Sequence, residues 1–376
     1  MPGEVVAGLE GIPIAESSVS FVDGQAGRLE YRGISVDELA ENSTFEETSF
    51  LLLYGHLPTK TELNEFVDGI THHRRLKYRI VDLIKCLPEL GHPMDALQAA
   101  VAATGMFYPD RHGMDTDARR TACLRLIGKV PTVVAAFERL RKGDEHIKPR
   151  DGLGLAGNFL YMMTGTEPEP NRERILDVSL ILHADHTMNA STFAGRVVGS
   201  TLADPYCVVS SALGALSGPL HGGANEDVLA LLTRIGKPEN AKSVIEGMIA
   251  RKEKIPGFGH RVYKAMDPRA RILKKYAQRL ASKSGNPLFE IAVQVEELVI
   301  AAYAEKGIWP NVDFFSGIVY QELGIPTDCF TPIFAIARVA GWLAHWLEQL
   351  EGNRIYRPTQ KYVGQHDVSY VPLDQR

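Results

Sequence analysis

Apolar residues recur at three- and four-residue spacing through most of this 376-residue chain, and that period is the signature of helices with one buried face. Leu63, Phe66, Val67 and Ile70 set it early, and the stretches 116–141, 172–200, 240–253, 270–284, 288–306 and 331–351 repeat it. Helix starts are marked as well. Ser35 with Glu38, Thr44 with Glu47 and Thr59 with Glu62 have the spacing at which a hydroxyl and a carboxylate cap a first turn. Alternation of apolar and polar residues appears in Ser18 to Arg32, about an Asp23-Gly24 turn signal, so one short hairpin is the only sheet of any size expected. The chain reads as all-α with a small N-terminal β-hairpin.

A hydrophobic fraction of 45% against 23% charge is that of a soluble globular enzyme, and a net charge of −5 argues against nucleic-acid binding. Any anion pocket must then be built locally. Cys86, Cys123, Cys207 and Cys329 are far apart and form no Cys-x-x-Cys pair, which suits reduced thiols in a cytoplasmic protein. The first ten residues carry neither a basic nor an apolar signal region. Pro205 to Asn225 is uncharged and long enough to cross a bilayer, but its serines, glycines and Pro219 make a buried central helix the better reading, and no membrane association is expected. Loops are marked at 108–113, 142–145 and 166–171.

Chemistry concentrates around Ser217-Gly-Pro-Leu-His221-Gly-Gly-Ala-Asn-Glu226, where one histidine stands among residues that either fix or free the backbone. His183-Ala-Asp-His186 lies upstream, and Gly257-Phe-Gly-His260-Arg-Val-Tyr263, Asp267-Pro-Arg269 and Asn311-Val-Asp313 lie downstream. A lone histidine in a glycine-rich turn is as often a satisfied loop imidazole as a catalytic one; five such clusters shift the balance toward a site. His183 and His186 would share a helical face, yet no Glu accompanies them as in a zinc helix, so no metal is expected. Gly152-Leu-Gly154-Leu-Ala-Gly157 imitates a dinucleotide turn, but charged residues and a proline precede it where a strand would have to be. Arg269 falls in a first helical turn begun by Asp267-Pro268, a place for a carboxylate or phosphate. Arg338 stands in an otherwise apolar helix with no acid within a turn, so either a ligand carboxylate or a distant Asp or Glu must serve it.

Along nearly its whole length the chain resembles the citrate synthases, from Gly8-Leu-Glu-Gly-Ile through Asp23-Gly-Gln-Ala-Gly-Arg-Leu-Glu-Tyr-Arg-Gly to Asn353-Arg-Ile-Tyr-Arg-Pro, and most specifically in the five clusters above. The resemblance implies a homodimer, with higher assembly open. Each subunit would have a large helical domain (residues 1–222 and 325–376), responsible for dimerisation and oxaloacetate binding. A small inserted domain (223–324) would bind CoA, with the active site between the two.

The implied reaction condenses acetyl-CoA with oxaloacetate and hydrolyses citryl-CoA, at entry to the tricarboxylic acid cycle, with no cofactor. By the same resemblance Asp313 takes the methyl proton, His221 donates to the thioester oxygen and His260 polarises the oxaloacetate carbonyl. His186, Arg269 and Arg338 would bind oxaloacetate, and Arg357 would come from the partner subunit. Ile255, Pro256, Gly257, Phe258 and Gly259 would hold the adenine, and Arg261 and Lys264 the phosphates. A 2-methylcitrate synthase using propionyl-CoA shares all these motifs, because one methylene is worth only about 1–3 kcal/mol of discrimination. A catalytically silent relative with a structural role is the reading from a different class.

Overall fold

A computed structural model describes residues 5–109 and 113–376. Residues 1–4 and 110–112 lie outside it, and with them the first part of the N-terminal stretch and the centre of the loop at 108–113. The hairpin forms where alternation placed it, as β1 (Ser20–Asp23) and β2 (Arg28–Tyr31) in antiparallel register from Ser20 opposite Tyr31 to Asp23 opposite Arg28. A two-residue β3 (Ile34–Ser35) completes a three-stranded sheet. In the turn, the Asp23 carboxylate accepts the N–H groups of Gln25 and Ala26.

All three marked helices start where read, but the reciprocal pairing of hydroxyl and carboxylate forms only at Thr59 and Glu62; Ser35 accepts the Asp37 N–H and Thr44 the Glu47 N–H, with no return bond from Glu38 or Glu47. Ser35 caps α1 (Val36–Asn42), Thr44 caps α2 (Phe45–Tyr54), and Thr59 with Glu62 makes a full reciprocal box on α3 (Lys60–His73). Then come α4 (Tyr78–Lys85), α5 (Pro93–Thr104) and the long α6 (Thr116–Leu140). The glycine-rich imitation does open a helix, α7 (Leu155–Thr164), but coil precedes it. A Cβ on Gly157 would meet only the Glu173 carboxylate, the movable end of a long side chain.

The stretch 172–200 departs from the sequence reading. It is two helices, α8 (Pro170–His183) and α9 (Ala190–Ser200), separated by a turn. After α10 (Pro205–Leu216) come α11 (Ala224–Ile235), α12 (Ala241–Ala250), α13 (Pro268–Ser284), α14 (Leu288–Tyr303) and α15 (Val312–Glu322), which pack chiefly on one another. α16 (Phe330–Glu351) is apolar on every face because it runs through the core, touching α2, α6, α8, α9 and α10. Beyond it, residues 352–376 are mostly extended and exposed, with Tyr362, Val363, Tyr370 and Leu373 all more than half open to solvent. Among the described residues, no helix is long and apolar enough to cross a membrane.

Candidate active site

The break between α8 and α9 is made by the hairpin. The Tyr31 hydroxyl sits among the carbonyls of Ile181, Leu182 and Asp185, at 3.1, 3.4 and 3.0 Å, where a helix end leaves acceptors unpaired. The Ser20 hydroxyl donates to the Asp185 carboxylate and accepts the Thr187 N–H at 3.0 Å, and Thr187 takes a left-handed φ of 49°. Asn189 then caps α9. His183 and His186 consequently do not share a helical face: His183 closes α8, its Nδ1 donating to the Ser179 carbonyl at 2.8 Å, while His186 lies in the turn. Among the described residues, the ligand group close enough to hold a metal is Glu138, Asp328 and Cys329, and there the Arg141 guanidinium already bonds both carboxylates.

His186 meets two residues from the loop before α13. Its Nε2 is 3.2 Å from the Tyr263 hydroxyl, and its ring stands edge-on to His260 with centroids 5.2 Å apart. His260 is fixed by its own backbone, since Nδ1 accepts the N–H groups of Val262 and Tyr263 at 3.0 and 3.2 Å. The ring proton must therefore be on Nε2, available to polarise a carbonyl. Burial, with Arg269 adding to it, lowers the His260 pKa to about 4, and the same two causes push His186 well below the ordinary imidazole value. Both rings are neutral at neutral pH.

His221 occupies a tight helical turn between α10 and α11, with its N–H on the Gly218 carbonyl at 2.9 Å. The flanking glycines do not adopt the left-handed backbone their run suggested; Gly222 is required instead for space, because a Cβ would lie 2.3 Å from the Leu216 carbonyl and 2.8 Å from Thr331. The ring of Phe334 links this histidine to the rest of the site, 6.3 Å from His221 on one side and 4.7 Å from the Arg338 guanidinium on the other. Burial, then the positive charge of Arg338, lowers the His221 pKa to about 4.

Asp313 stands in the first turn of α15, where Asn311 caps the helix by accepting the Asp313 N–H at 3.0 Å. Its carboxylate has no hydrogen-bond or ion-pair partner among the described residues, and burial pushes its pKa up to about 6 against the pull of Arg269 and Arg338. This has a consequence for stability. The folded carboxyl holds its proton to about pH 6 and the unfolded one releases it near pH 4, so its contribution is fully present below pH 4 and is lost as pH rises through 6. Asp313→Asn is expected to be more stable than the parent at pH 8 by on the order of 2 kcal/mol, and so to unfold at a higher temperature there, and to show no advantage at pH 4. Scanning calorimetry at both pH values checks it.

The two buried arginines divide. Arg269 is not an open anion clamp from every side: Asp267, which caps α13, also pairs with it through Nε at 3.0 Å and Nη2 at 2.7 Å, because a guanidinium only 2% exposed must have a counter-charge. Arg338 has no acid within ion-pair distance and gives its Nε–H to the His183 carbonyl at 2.7 Å. Burial lowers its pKa to about 10.

The proposed adenine segment is held against residues 309–311: Gly259 N–H donates to the Trp309 carbonyl and Asn311 N–H to the Gly257 carbonyl, both at 2.9 Å. Gly257 has φ 77° and lies so close to Val228 and Phe314 that no side chain fits. Ile255 and Phe258 are buried and Pro256 half-buried, whereas Arg261 and Lys264 are exposed. Arg357 is exposed in the tail, and among the described residues its side chain hydrogen-bonds only to the Pro358 carbonyl, so it makes no bond to the other residues of the cleft.

Three participants were not singled out from the sequence. Tyr263 was legible as the last residue of the His260 motif. Trp342 lies one turn after Arg338 on the same face of α16, and its Nε1–H reaches the Ser191 hydroxyl at 3.1 Å. Asp185, fully buried between the two histidines, is tied to Ser20 and to His345. A cavity of about 590 Å³ elsewhere, between α2, α3, α7 and α8, is lined by Glu46, Asp68, Glu173 and Asp177 and has no part in this arrangement.

Imidazoles held neutral, a carboxylate poised near neutrality and a buried guanidinium awaiting an anion are the equipment of an enzyme that moves protons on a small anionic carbonyl compound. The chain matches the family model described as citrate synthase, C-terminal domain, over residues 8–359. It is 56% identical to a citrate synthase of Synechocystis sp., over 98% of this chain and 93% of that protein, and 49% identical to one of Acidithiobacillus ferridurans, over 98% of each. Among solved structures, the citrate synthase of Pyrobaculum aerophilum superposes with a TM-score of 0.94 at 45% identity, covering 99% of this chain and 95% of that one. The ternary complex of carboxymethyl coenzyme A and oxaloacetate with the citrate synthase of Thermoplasma acidophilum gives 0.95 at 36% identity, covering 99% of this chain and 100% of that one. The chain belongs to the citrate synthase family, enzymes that transfer an acyl group.

Proposed function

We propose that the cleft between α8–α11, α13, α15 and α16 condenses acetyl-CoA with oxaloacetate and hydrolyses the resulting thioester, and that Asp313, His221 and His260 carry the chemistry. The observation that supports this best is the protonation pattern around the two buried arginines: one carboxylate without a partner that burial pushes toward neutrality, and two imidazoles that burial keeps neutral, each within electrostatic reach of Arg269 or Arg338. Asp313 accepts the methyl proton, His221 donates to the thioester oxygen as enolate charge develops, and His260 Nε2–H polarises the oxaloacetate carbonyl. Arg338, His186 and the face of Arg269 turned from Asp267 take the oxaloacetate carboxylates and carbonyl. The backbone at Ile255–Gly259, with Arg261 and Lys264, takes CoA, which fits a relative crystallised with a CoA analogue.

Residues 223–324 act in this reading as a small domain that closes on oxaloacetate, the packing of α11–α15 on one another being the support. We place the protein in the cytoplasm, where four cysteines with no disulfide among the described residues belong, and at entry to the tricarboxylic acid cycle. Thiol release measured with acetyl-CoA and propionyl-CoA, each with oxaloacetate, tests the assignment. Acetyl-CoA should be the faster substrate; faster release from propionyl-CoA would make this a 2-methylcitrate synthase.

The active unit is proposed to be a homodimer in which Arg357 serves the partner's oxaloacetate, because the exposed, partly apolar tail has no core of its own. Mixing His221→Ala with Arg357→Ala subunits after reversible dissociation should restore about a quarter of all sites under random pairing. If heterodimers confirmed by native mass spectrometry stay inactive, Arg357 serves its own subunit or none.

A further inference from the structure

The hairpin reaches the site at both of its ends. Ser20 and Tyr31, paired at the open end, hold the break before His186, and from Ser20 to Asp23, about 10 Å of strand, β1 runs to a turn that meets the loop carrying His260. This second contact is backbone on backbone. The Gly24 carbonyl accepts the Lys264 N–H at 2.9 Å and the Ala265 N–H at 3.4 Å. A Cβ at Gly24 would lie 2.2 Å from the Val262 carbonyl oxygen and 2.9 Å from its carbon, so that carbonyl rests against a bare Cα. It belongs to the peptide unit whose N–H, on Tyr263, donates to His260 Nδ1 at 3.2 Å. A trans peptide is planar, with its C=O and N–H on opposite edges, so the unit is wedged between Gly24 on one side and the imidazole on the other. A shift of one edge shifts the other.

We propose that Gly24 is a positioning residue for His260: through the Val262–Tyr263 peptide it sets where the Nε2–H of that ring stands against the oxaloacetate carbonyl. The inference rests on the reading of His260 as the polarising group. The turn is held firmly enough to serve, since strand register pairs Asp23 with Arg28 and the Asp23 carboxylate takes the N–H groups of Gln25 and Ala26. The loop is held from its other side as well. Val262 N–H donates to His260 Nδ1 at 3.0 Å, and the Tyr263 hydroxyl lies 3.2 Å from His186 Nε2. One hairpin therefore fixes both histidines, His186 from its open end and His260 from its turn. Gly24 does not take the left-handed φ that Gly27 has at 63°, so room is what an alanine there would use up. The atoms in its way are main chain, which cannot swing aside as the end of a side chain can.

Gly24→Ala should push the Val262 carbonyl, and the imidazole with it, out of place. It is expected to lower kcat by about 10- to 100-fold and to leave oxaloacetate affinity within about fivefold, because other groups bind the carboxylates. The direct readout is the carbon-13 resonance of oxaloacetate labelled at its ketone carbon and bound at saturation. Polarisation moves that resonance away from its position in free oxaloacetate, and Gly24→Ala should return about half of the shift or more. Gly33→Ala strains the next turn, at φ 83°, but meets no atom within 4 Å, and should keep the bound resonance. An unmoved resonance in Gly24→Ala, with or without a fall in kcat, would overturn the proposal. So would an equal change in Gly33→Ala, which would mean a loosened sheet, or complete loss of oxaloacetate binding, which would mean a disturbed cleft. Should Gly24→Ala fail to fold by circular dichroism, Asp23 decides. Asp23→Ala removes the acceptor that holds the turn and should move the resonance the same way, whereas Asp23→Asn keeps the one oxygen that both N–H groups use and should keep the signal. No change in Asp23→Ala, or an equal change in both, overturns the proposal equally. His260→Ala separates the two levels. An unchanged resonance there removes His260 from polarisation; a changed one beside a wild-type Gly24→Ala removes only the role of Gly24.

Discussion

Asp313→Asn and His221→Ala are each expected to lower kcat by on the order of 10² or more while oxaloacetate still binds with near wild-type affinity. A methyl beside a thioester is so weak an acid that neither a carboxylate near pH 6 nor a neutral imidazole can make the enol alone, and every unit of mismatch costs about 1.36 kcal/mol. The two must act in one step, one taking the proton while the other steadies the oxygen. Steady-state kinetics with calorimetric titration of oxaloacetate reads both parts. Near wild-type turnover in either variant would remove that residue from the chemistry, and lost oxaloacetate binding would mean that the change had disturbed the cleft instead.

Arg338→Leu is the second large effect, and its sign differs between two measurements. Loss of a desolvated guanidinium should weaken oxaloacetate binding by roughly 30- to 1,000-fold, the cost of unpairing a buried charge pair. The unliganded protein should be no less stable, and more stable if the leucine packs, because Arg338 has a carbonyl but no acid within ion-pair distance. Titration calorimetry and thermal unfolding check the pair of expectations. A large fall in melting temperature with binding intact would make Arg338 a structural residue.

The helices and the residues of the cleft were legible because both are written locally. Thr44 and Thr59 announce their helices within four residues, and His221, His260 and Asp313 stand in motifs short enough to recognise. What was not legible is long-range. The pattern 172–200 is helical throughout, and the groups that take up the backbone where the helix stops after His183, Tyr31 and Ser20 on the hairpin and Arg338 on α16, lie more than 150 positions away. The pairing of Arg269 with Asp267 was open to inspection, two residues apart at a helix start, yet a dipole argument treated the guanidinium as unclaimed. The run around His221 suggests both a special backbone and a close approach, and Gly222 answers only to the second, with the Leu216 carbonyl and Thr331 as the neighbours that leave no room. Ser191 and Trp342 carry no signal at all until α9 and α16 are packed together.

The hairpin turn bears on how the site comes into being during synthesis. Gly24 accepts the Lys264 N–H at 2.9 Å, and a Cβ at 24 would fall 2.2 Å from the Val262 carbonyl, so the loop carrying His260 is moulded directly on the backbone of the turn. Gly24 leaves the ribosome some 240 residues before that loop, about 10–50 seconds earlier at ordinary rates of elongation. The template is therefore made first and waits for its casting: a nascent chain can complete the His260 loop as soon as it emerges, whereas a circularly permuted chain starting between α10 and α11 would have to make that loop before the surface that shapes it.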